Sequence, residues 1–201
     1  GNDTIEGGGG NDTLITTGDP DQPNAFTVQT VNGRTFVNQT SQINETVNLG
    51  SVEELVFIGG SEADTVTVLP TIGAEETLTK ITFQGDAGED VLDASASVTP
   101  IVFIGGADED TVIGSAGNDL FILNTGDGDD VIDGSDGRDT LLVIGATDAV
   151  NNFSIMANGN RVTVQQTSPV NGTTDLVRVE DVAFEGGSAS DTLIIGDLSG
   201  T

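Results

Sequence analysis

The feature that most constrains the fold of this chain is a nine-residue phrase that returns along it with an aspartate in sixth position. The phrase reads GGGGNDTLI from Gly7 and GSAGNDLFI from Gly114, within a shared frame G-G-x-G-x-D-x-U-x in which U is aliphatic or aromatic. Its glycine-rich part predicts a tight turn, because glycine adopts positive φ at little steric cost. The three residues after the turn predict a short strand with its middle side chain pointing inward. The pattern therefore predicts an all-β coil of alternating turns and strands.

Two nonamers are expected to complete one circuit, so that successive turns fall on opposite edges of the coil and every second turn stacks on its neighbour. One edge then stacks Asp90, Asp110 and Asp130, and the other stacks Asp119 and Asp139. The predicted inward residues are Leu14, Val66, Leu92, Val112, Phe121, Ile132, Leu141 and Leu193. The stacked aspartates predict two columns of carboxylates along the molecule.

A longer period lies over the nonamers. A shift of 127 residues superposes 1–74 on 128–201 without a gap, and 29 of the 74 aligned pairs are identical. We interpret 1–127 as one tandem repeat unit and 128–201 as a partial second copy, continuous with the first. Phe26–Gln39 and its copy Phe153–Gln166 alternate in polarity and break at Asn-Gly or Gly-Asn, which predicts an inserted or extended hairpin in each unit.

The net charge limits the partners of the chain. Five Lys and Arg residues against 33 Asp and Glu give a formal charge of −28. Such a surface repels nucleic acid and anionic membranes, and the sequence has no apolar run long enough for a membrane helix, so neither nucleic acid binding nor membrane insertion is expected. Close carboxylate pairs also repel one another, which calls for positive charge from outside the chain.

Calcium is the ion that this chemistry favours. It takes six to eight oxygens from carboxylates and backbone carbonyls in a tolerant geometry, and stacked glycine-rich turns offer both kinds. The candidate ligands are the sixth-position aspartates, including the one in the incomplete first copy: Asp3, Asp12, Asp64, Asp90, Asp110, Asp119, Asp130, Asp139 and Asp191. For Asp64 and Asp191 the alternative is an aspartate that only caps its own turn through backbone N–H groups.

The nonamers GGGGNDTLI and GSAGNDLFI resemble the calcium-binding repeats of repeats-in-toxin (RTX) proteins. The resemblance implies an all-β, right-handed parallel β-roll or β-solenoid with multiple Ca²⁺ ions bound at its Gly/Asp turns. The whole 127-residue unit is similar to the long acidic repeat arrays of large bacterial surface proteins. That similarity implies an extracellular or bacterial cell-surface location.

The sequence gives little support for an enzymatic function. It contains no His and no Cys, and it has neither a phosphate-binding loop nor a G-x-S-x-G elbow, so we expect no catalysis. The expected function is structural: a calcium-dependent rod segment of an adhesin stalk, filament or surface layer, with neighbouring copies of the repeat as partners. The alternative is a calcium-dependent C-terminal secretion or folding tail of an exported enzyme. The long tandem period favours the rod.

Overall fold

A computed structural model describes residues 2–41, 45–70 and 78–198, so parts of both predicted units lie outside the described residues. All regular structure in these ranges is β, which confirms the all-β part of the predicted fold class. Nothing in this part of the chain forms a helix of the length and hydropathy that a membrane crossing requires. The strands are β1 (Asp3–Glu6), β2 (Thr13–Thr17), β3 (Ala25–Val31), β4 (Arg34–Gln39), β5 (Glu45–Gly50), β6 (Glu54–Gly60), β7 (Thr65–Val68), β8 (Lys80–Ala87), β9 (Val91–Asp93), β10 (Ile101–Ala107), β11 (Thr111–Ile113), β12 (Leu120–Asn124), β13 (Asp130–Asp133), β14 (Thr140–Ile144), β15 (Asn152–Asn158), β16 (Arg161–Ser168), β17 (Gly172–Val177), β18 (Asp181–Glu185) and β19 (Thr192–Ile195).

These strands form two sheets between which the chain alternates. The long sheet has the order β1-β5-β4-β3-β7-β9-β11-β13-β17-β16-β15-β19, and the short sheet has the order β18-β14-β12-β10-β8-β6-β2. From β6 to β14 each strand in one sheet leads into a strand of the other, and neighbours within a sheet are parallel. This is the layered arrangement of a β-roll, in which the chain coils about the axis along which its layers stack.

The core lies between the two sheets and repeats from layer to layer. In the short sheet Phe57, Phe83, Phe103 and Phe121 occupy matched register positions and are at most 3% exposed. The facing column in the long sheet consists of Val66, Leu92, Val112 and Ile132. Burial of one aromatic and one aliphatic side chain per layer supplies the hydrophobic free energy that orders such short strands.

The predicted inward residues are buried in this core, except near the ends of the sheets. Val66, Leu92, Val112, Phe121, Ile132 and Leu141 are buried. Leu14 is only partly buried, and Leu193 is 44% exposed. The prediction for Leu193 was wrong because β19 is the terminal strand of the long sheet and has a neighbour on one side only.

Two antiparallel meanders interrupt the parallel order of the long sheet. Strands β3, β4 and β5 pair antiparallel in sequence, and β15, β16 and β17 do the same. Each meander thus has a third strand beyond the two-stranded hairpin that alternation and the Asn-Gly signal indicate. The third strand, Glu45–Gly50 or Gly172–Val177, was not predicted, and it pairs in parallel with β1 or β13.

Strand pairs recur at the 127-residue shift. Asp3 pairs with Val47 in β1 and β5, and the residues 127 positions later, Asp130 and Thr174, pair in β13 and β17. The ring contacts recur as well. Phe26 and Phe57 have centroids 5.2 Å apart, and Phe153 and Phe184 have centroids 5.3 Å apart. Strand pairing and this ring contact therefore recur in the two stretches of sequence.

Candidate metal sites at the turn edges

The turns that enter the long sheet bring a line of aspartates together, which we call the long-sheet column. The backbone N–H of Asp64 donates to Asp90 Oδ1 at 2.7 Å, that of Asp90 to Asp110 Oδ1 at 2.9 Å, and that of Asp110 to Asp130 Oδ1 at 3.0 Å. Each carboxylate is therefore fixed by the amide of the layer before it. All four side chains are at most 5% exposed.

The turns that enter the short sheet form a second line, the short-sheet column. The N–H of Ile101 donates to Asp119 Oδ1 at 2.8 Å, and that of Asp119 donates to Asp139 Oδ1 at 2.9 Å. The column continues to a glutamate, because the N–H of Asp139 donates to Glu180 Oε2 at 2.8 Å. The same pair recurs 127 residues earlier, where the N–H of Asp12 donates to Glu53 Oε2 at 2.9 Å.

The second carboxylate oxygen of several of these aspartates, Oδ2, is free to bind a proton or a cation. Within the described ranges five buried carboxylate oxygens receive no hydrogen bond, and they are Oδ2 of Asp12, Asp64, Asp90, Asp110 and Asp139. Five residues before each of these aspartates stands a glycine, at whose α-carbon a methyl group would overlap that same oxygen. Buried anionic oxygens without donors are costly, so each of them needs a proton or a cation.

A backbone carbonyl oxygen from the next layer lies beside several of these free oxygens. A Cβ on Gly85 would meet both Asp90 Oδ2 and the carbonyl oxygen of Gly105. A Cβ on Gly59 would meet Asp64 Oδ2 and the carbonyl oxygen of Gly85. Two oxygens from adjacent layers thus lie against the same glycine, where an added Cβ would push them away. A hydrogen-bond donor or a cation would relieve the repulsion between two such oxygens.

Burial and mutual repulsion shift the pKa of the column carboxyls upward. Burial raises the pKa of Asp110 to about 8, and the charges of Asp130 and Asp90 add to the shift. Burial likewise raises the pKa of Asp90 to about 7 and that of Asp130 to about 7. In the short-sheet column burial raises the pKa of Asp139 to about 6. The amide bonds to Oδ1 oppose these shifts without cancelling them, so the isolated chain holds these charges poorly.

The basic side chains do not neutralise the columns. All five of them make ion pairs with other acids: Arg34 with Glu6, Lys80 with Glu54, Arg138 with Asp181, Arg161 with Asp175 and Arg178 with Asp133. Positive charge at the columns must therefore come from a bound ion or from protons.

The donor set fits calcium. The described residues include no group of three or more acidic, His or Cys side chains placed to hold one metal ion. Calcium accepts carbonyl oxygens readily, whereas ions that prefer nitrogen or sulfur find no His or Cys in this chain. Carboxylate and carbonyl oxygens from adjacent layers are ligands of the calcium type.

The nine predicted aspartates differ in burial and in the hydrogen bonding of their side chains. Asp64, Asp90, Asp110 and Asp139 are buried and have a free Oδ2, and half-buried Asp12 has one too. Asp130 is buried at the C-terminal end of the long-sheet run, whereas Asp3 is exposed at the start of β1.

Asp119 and Asp191 differ from the others because their second oxygens are satisfied locally. Asp119 Oδ2 accepts the N–H of Ser115 at 2.7 Å, and Asp191 Oδ2 accepts the N–H of Gly187 at 3.1 Å. The bonds from Asn151 hold the pKa of Asp191 below its ordinary value. Asp191 thus caps its own turn, while Asp64 has the environment of the buried column members.

Several residues of the columns were missed by sequence reasoning. Glu53 and Glu180 continue the short-sheet column, and Asn24 and Asn151 stand in the long-sheet column where an aspartate stands elsewhere. All four lie outside the nonamer frame. A signal was available, because each glutamate and each asparagine is identical in the two copies at the 127-residue shift.

Comparison with known protein families agrees with this chemistry. Residues 1–22 and 104–141 match the RTX calcium-binding nonapeptide repeat, in four copies. The match confirms the predicted RTX-type repeats and calcium as their ion. The matched ranges contain Asp3, Asp12, Asp110, Asp119, Asp130 and Asp139. No curated protein matches the chain.

Proposed function

We propose that this chain is a calcium-stiffened structural segment of an extracellular protein, built as a right-handed β-roll and carrying no catalytic activity. The observation that supports it best is the row of buried carboxylate oxygens without donors, each at a turn where layers stack. Calcium, when bound, supplies the positive charge that joins one layer to the next. Each aspartate layer then contributes to stiffness only while the ion is present.

The two carboxylate oxygens of an aspartate have different roles at each such turn. Oδ1 of an aspartate accepts the amide of the previous layer, as Asp110 Oδ1 does from Asp90, and this bond fixes the orientation of the carboxylate. Oδ2 is then held against the glycine five residues earlier and receives no hydrogen bond, so it is the oxygen that would bind the ion. Asp12, Asp64, Asp90, Asp110 and Asp139 are the residues that would hold calcium in this way.

The tandem period supports a rod over a compact domain. We take 1–127 as one unit and 128–201 as the start of the next, because strand pairs and ring contacts recur at that shift. From β1 to β13 the long sheet advances by seven strands, while the short sheet advances by five from β2 to β14. At about 4.8 Å per strand, one unit adds on the order of 25 to 35 Å along the axis. Units stacked this way form a stalk, filament or surface layer, with neighbouring copies of the repeat as partners.

An extracellular or bacterial cell-surface location suits this role. Calcium outside cells is abundant enough to fill weak sites, for which dissociation constants of about 10⁻⁴ to 10⁻³ M are typical of extracellular modules. The formal charge of −28 disfavours nucleic acid and membrane partners, and it keeps apo chains apart by repulsion.

Small-angle scattering of chains with one, two and three tandem units tests the proposal. In millimolar calcium we expect a stiff rod whose longest dimension grows by about 25 to 35 Å per unit. In excess chelator the same chains should expand and lose the constant step. Independently moving beads in calcium would contradict the rod and favour the calcium-dependent folding tail of an exported enzyme.

A further inference from the structure

Two layers of the long-sheet column have asparagine in place of aspartate. Asn24 enters β3 and Asn151 enters β15, which are the first strands of the two meanders. The backbone N–H of Asn24 donates to Asp64 Oδ1 at 2.5 Å, and that of Asn151 donates to Asp191 Oδ1 at 2.9 Å. Both therefore occupy the position of a column member, one layer before an aspartate. Asn24 is 1% exposed and Asn151 is fully buried.

Each asparagine side chain is surrounded by oxygens. Asn24 Nδ2 donates to the carbonyl of Asp19 at 3.0 Å, the carbonyl of Gln22 at 2.9 Å and Asp64 Oδ1 at 2.9 Å. Two of these oxygens come from the turn itself and the third is a carboxylate of the next layer. The Nδ2 group is the positive end of the side-chain dipole, and it lies where three oxygens converge.

The same arrangement recurs in the second copy. Asn151 Nδ2 donates to the carbonyl of Ala146 at 3.0 Å, the carbonyl of Ala149 at 3.1 Å and Asp191 Oδ1 at 2.9 Å. The turn residues differ, since Asp19 and Gln22 are replaced by alanines, yet the backbone oxygens converge alike. The geometry therefore depends on the asparagine and on the turn backbone, not on neighbouring side chains.

The turn before each asparagine is one residue longer than the aspartate turns. Gly18 precedes Asn24 by six residues and Gly145 precedes Asn151 by six, whereas five separate glycine from aspartate in the layers with a free Oδ2. A Cβ on either glycine would overlap the asparagine carboxamide, as a Cβ elsewhere would overlap the aspartate Oδ2. The carboxamide thus lies against its glycine as the carboxylates of the aspartate layers do, with a hydrogen-bond donor where those layers have an oxygen that receives no donor.

We infer that Asn24 and Asn151 are built-in substitutes for calcium, which close the first layer of each meander without metal. The inference rests on the proposed calcium-binding role of the aspartate layers. A carboxamide supplies both a donor for the converging oxygens and an acceptor, Oδ1, for the amide of Asp19 or Ala146. It brings no charge, so the layer needs no ion. Asn24 therefore joins its meander to the calcium-binding layer of Asp64, and Asn151 joins its meander to the layer of Asp191, by hydrogen bonds that chelation does not remove.

An aspartate at either position should convert the layer into a calcium site. Asn24→Asp replaces the Nδ2 donor by an oxygen, so that three oxygens face a carboxylate. Such a group of oxygens is a suitable ligand set for a cation, and its members repel one another when no cation is bound. Asn160→Asp is the matched control, because it adds the same charge at an exposed position of the β15–β16 turn. The double variant Asn24→Asp/Asn151→Asp extends the comparison to both copies.

The experiment counts calcium bound per chain at saturation and measures the thermal midpoint with calcium and with chelator. We expect N24D to bind one more calcium ion than wild type and the double variant to bind two more, while N160D binds the wild-type number. In chelator the midpoint of N24D should fall by several degrees more than that of N160D, and calcium should restore it. If N24D does not fold in chelator, the count at saturating calcium still decides.

The outcomes separate the inference from the proposed function. Equal calcium counts for N24D and N160D, or a loss of midpoint in N24D that calcium does not restore, would overturn the substitution of carboxamide for ion. If wild type itself takes up no calcium, the proposed function fails and the inference falls with it. A wild type that binds calcium, with N24D unchanged in both count and midpoint, overturns the inference alone.

Discussion

Asp110 and Asp130 lie in adjacent turns of the long-sheet column, where Asp130 Oδ1 accepts the backbone N–H of Asp110 at 3.0 Å while Asp110 Oδ2 is buried without a donor. In Asp110 one oxygen thus serves the fold, because Oδ1 accepts the N–H of Asp90, and the other is left for an ion or a proton. This division explains why the charge state of the columns, more than their packing, should control stability.

In the absence of calcium the free energy of unfolding should fall as the pH rises from about 4 to about 8. Burial raises the pKa of Asp110 to about 8 and that of Asp90 and Asp130 to about 7, against an ordinary value of 3.8. Between these values the folded chain holds more protons than the unfolded chain, so rising pH favours unfolding. Thermal unfolding in chelator at about pH 5 and pH 8 measures the effect.

Asp110→Asn is the control for that pH dependence. A neutral carboxamide keeps an oxygen for the amide bond and cannot ionise, so the variant should be more stable than wild type in chelator at about pH 8 and should show a weaker slope. A wild-type midpoint that is level or rises over this range would contradict the proton-holding role of the column.

Calcium binding should release protons near neutral pH. Because the ion requires ionised carboxylates, calcium and protons compete for Asp90, Asp110 and Asp130, whose pKa values lie at about 7 to 8. The affinity should therefore be higher at about pH 8 than at about pH 6. Titration calorimetry at about pH 7 in two buffers of different ionisation enthalpy counts the protons, and a heat independent of the buffer would exclude the competition.

Gly85→Ala should weaken both the fold and calcium binding. The new Cβ would overlap Asp90 Oδ2 and the carbonyl oxygen of Gly105, so two candidate ligands must move apart. We expect a loss of about 1 to 3 kcal/mol in unfolding free energy, the usual cost of overpacking. Gly9→Ala is the control, since nothing lies within 4 Å of its Cβ. Equal effects from the two substitutions would argue that Gly85 has no role at a binding site.

Phe83→Ala should destabilise the chain in calcium and in chelator alike. Phe83 is fully buried between Phe57 and Phe103 in the short sheet, and loss of such a ring costs about 3 to 5 kcal/mol. Val98→Ala is the surface control, because Val98 is 64% exposed and should change stability by no more than about 0.5 kcal/mol. Denaturant unfolding measures both. A small effect at Phe83 would mean that the ions, not the core, provide nearly all of the stability.

The sequence predicted the parts of this fold that repeat at short range. The nonamer frame gave the turn, the strand and the inward residue, because a glycine-rich turn and an alternating strand are local properties. Spacings of 20 residues between Asp90, Asp110 and Asp130 also predicted their place on one edge, where the structure puts them.

What the sequence could not predict depends on which strands become neighbours. Glu45–Gly50 has only two large apolar side chains, Val47 and Leu49. Its place as the third strand of a meander depends on pairing in parallel with β1, which is distant in sequence, and antiparallel with β4. Glu53 and Asn24 join the columns through layers about 40 residues away. Leu193 fits the nonamer but is exposed, because its burial requires a further layer.

Thermal unfolding of the 201-residue chain at about pH 7.5, in millimolar calcium and in excess chelator, tests the central claim most directly. If ions join the layers, calcium should raise the midpoint and unfolding should remain cooperative. Each independent ion present at about 100 times its dissociation constant adds about 2.7 kcal/mol. A chain with the same midpoint and the same β-signal in chelator as in calcium would contradict the account and leave the columns as buried, protonated carboxyls.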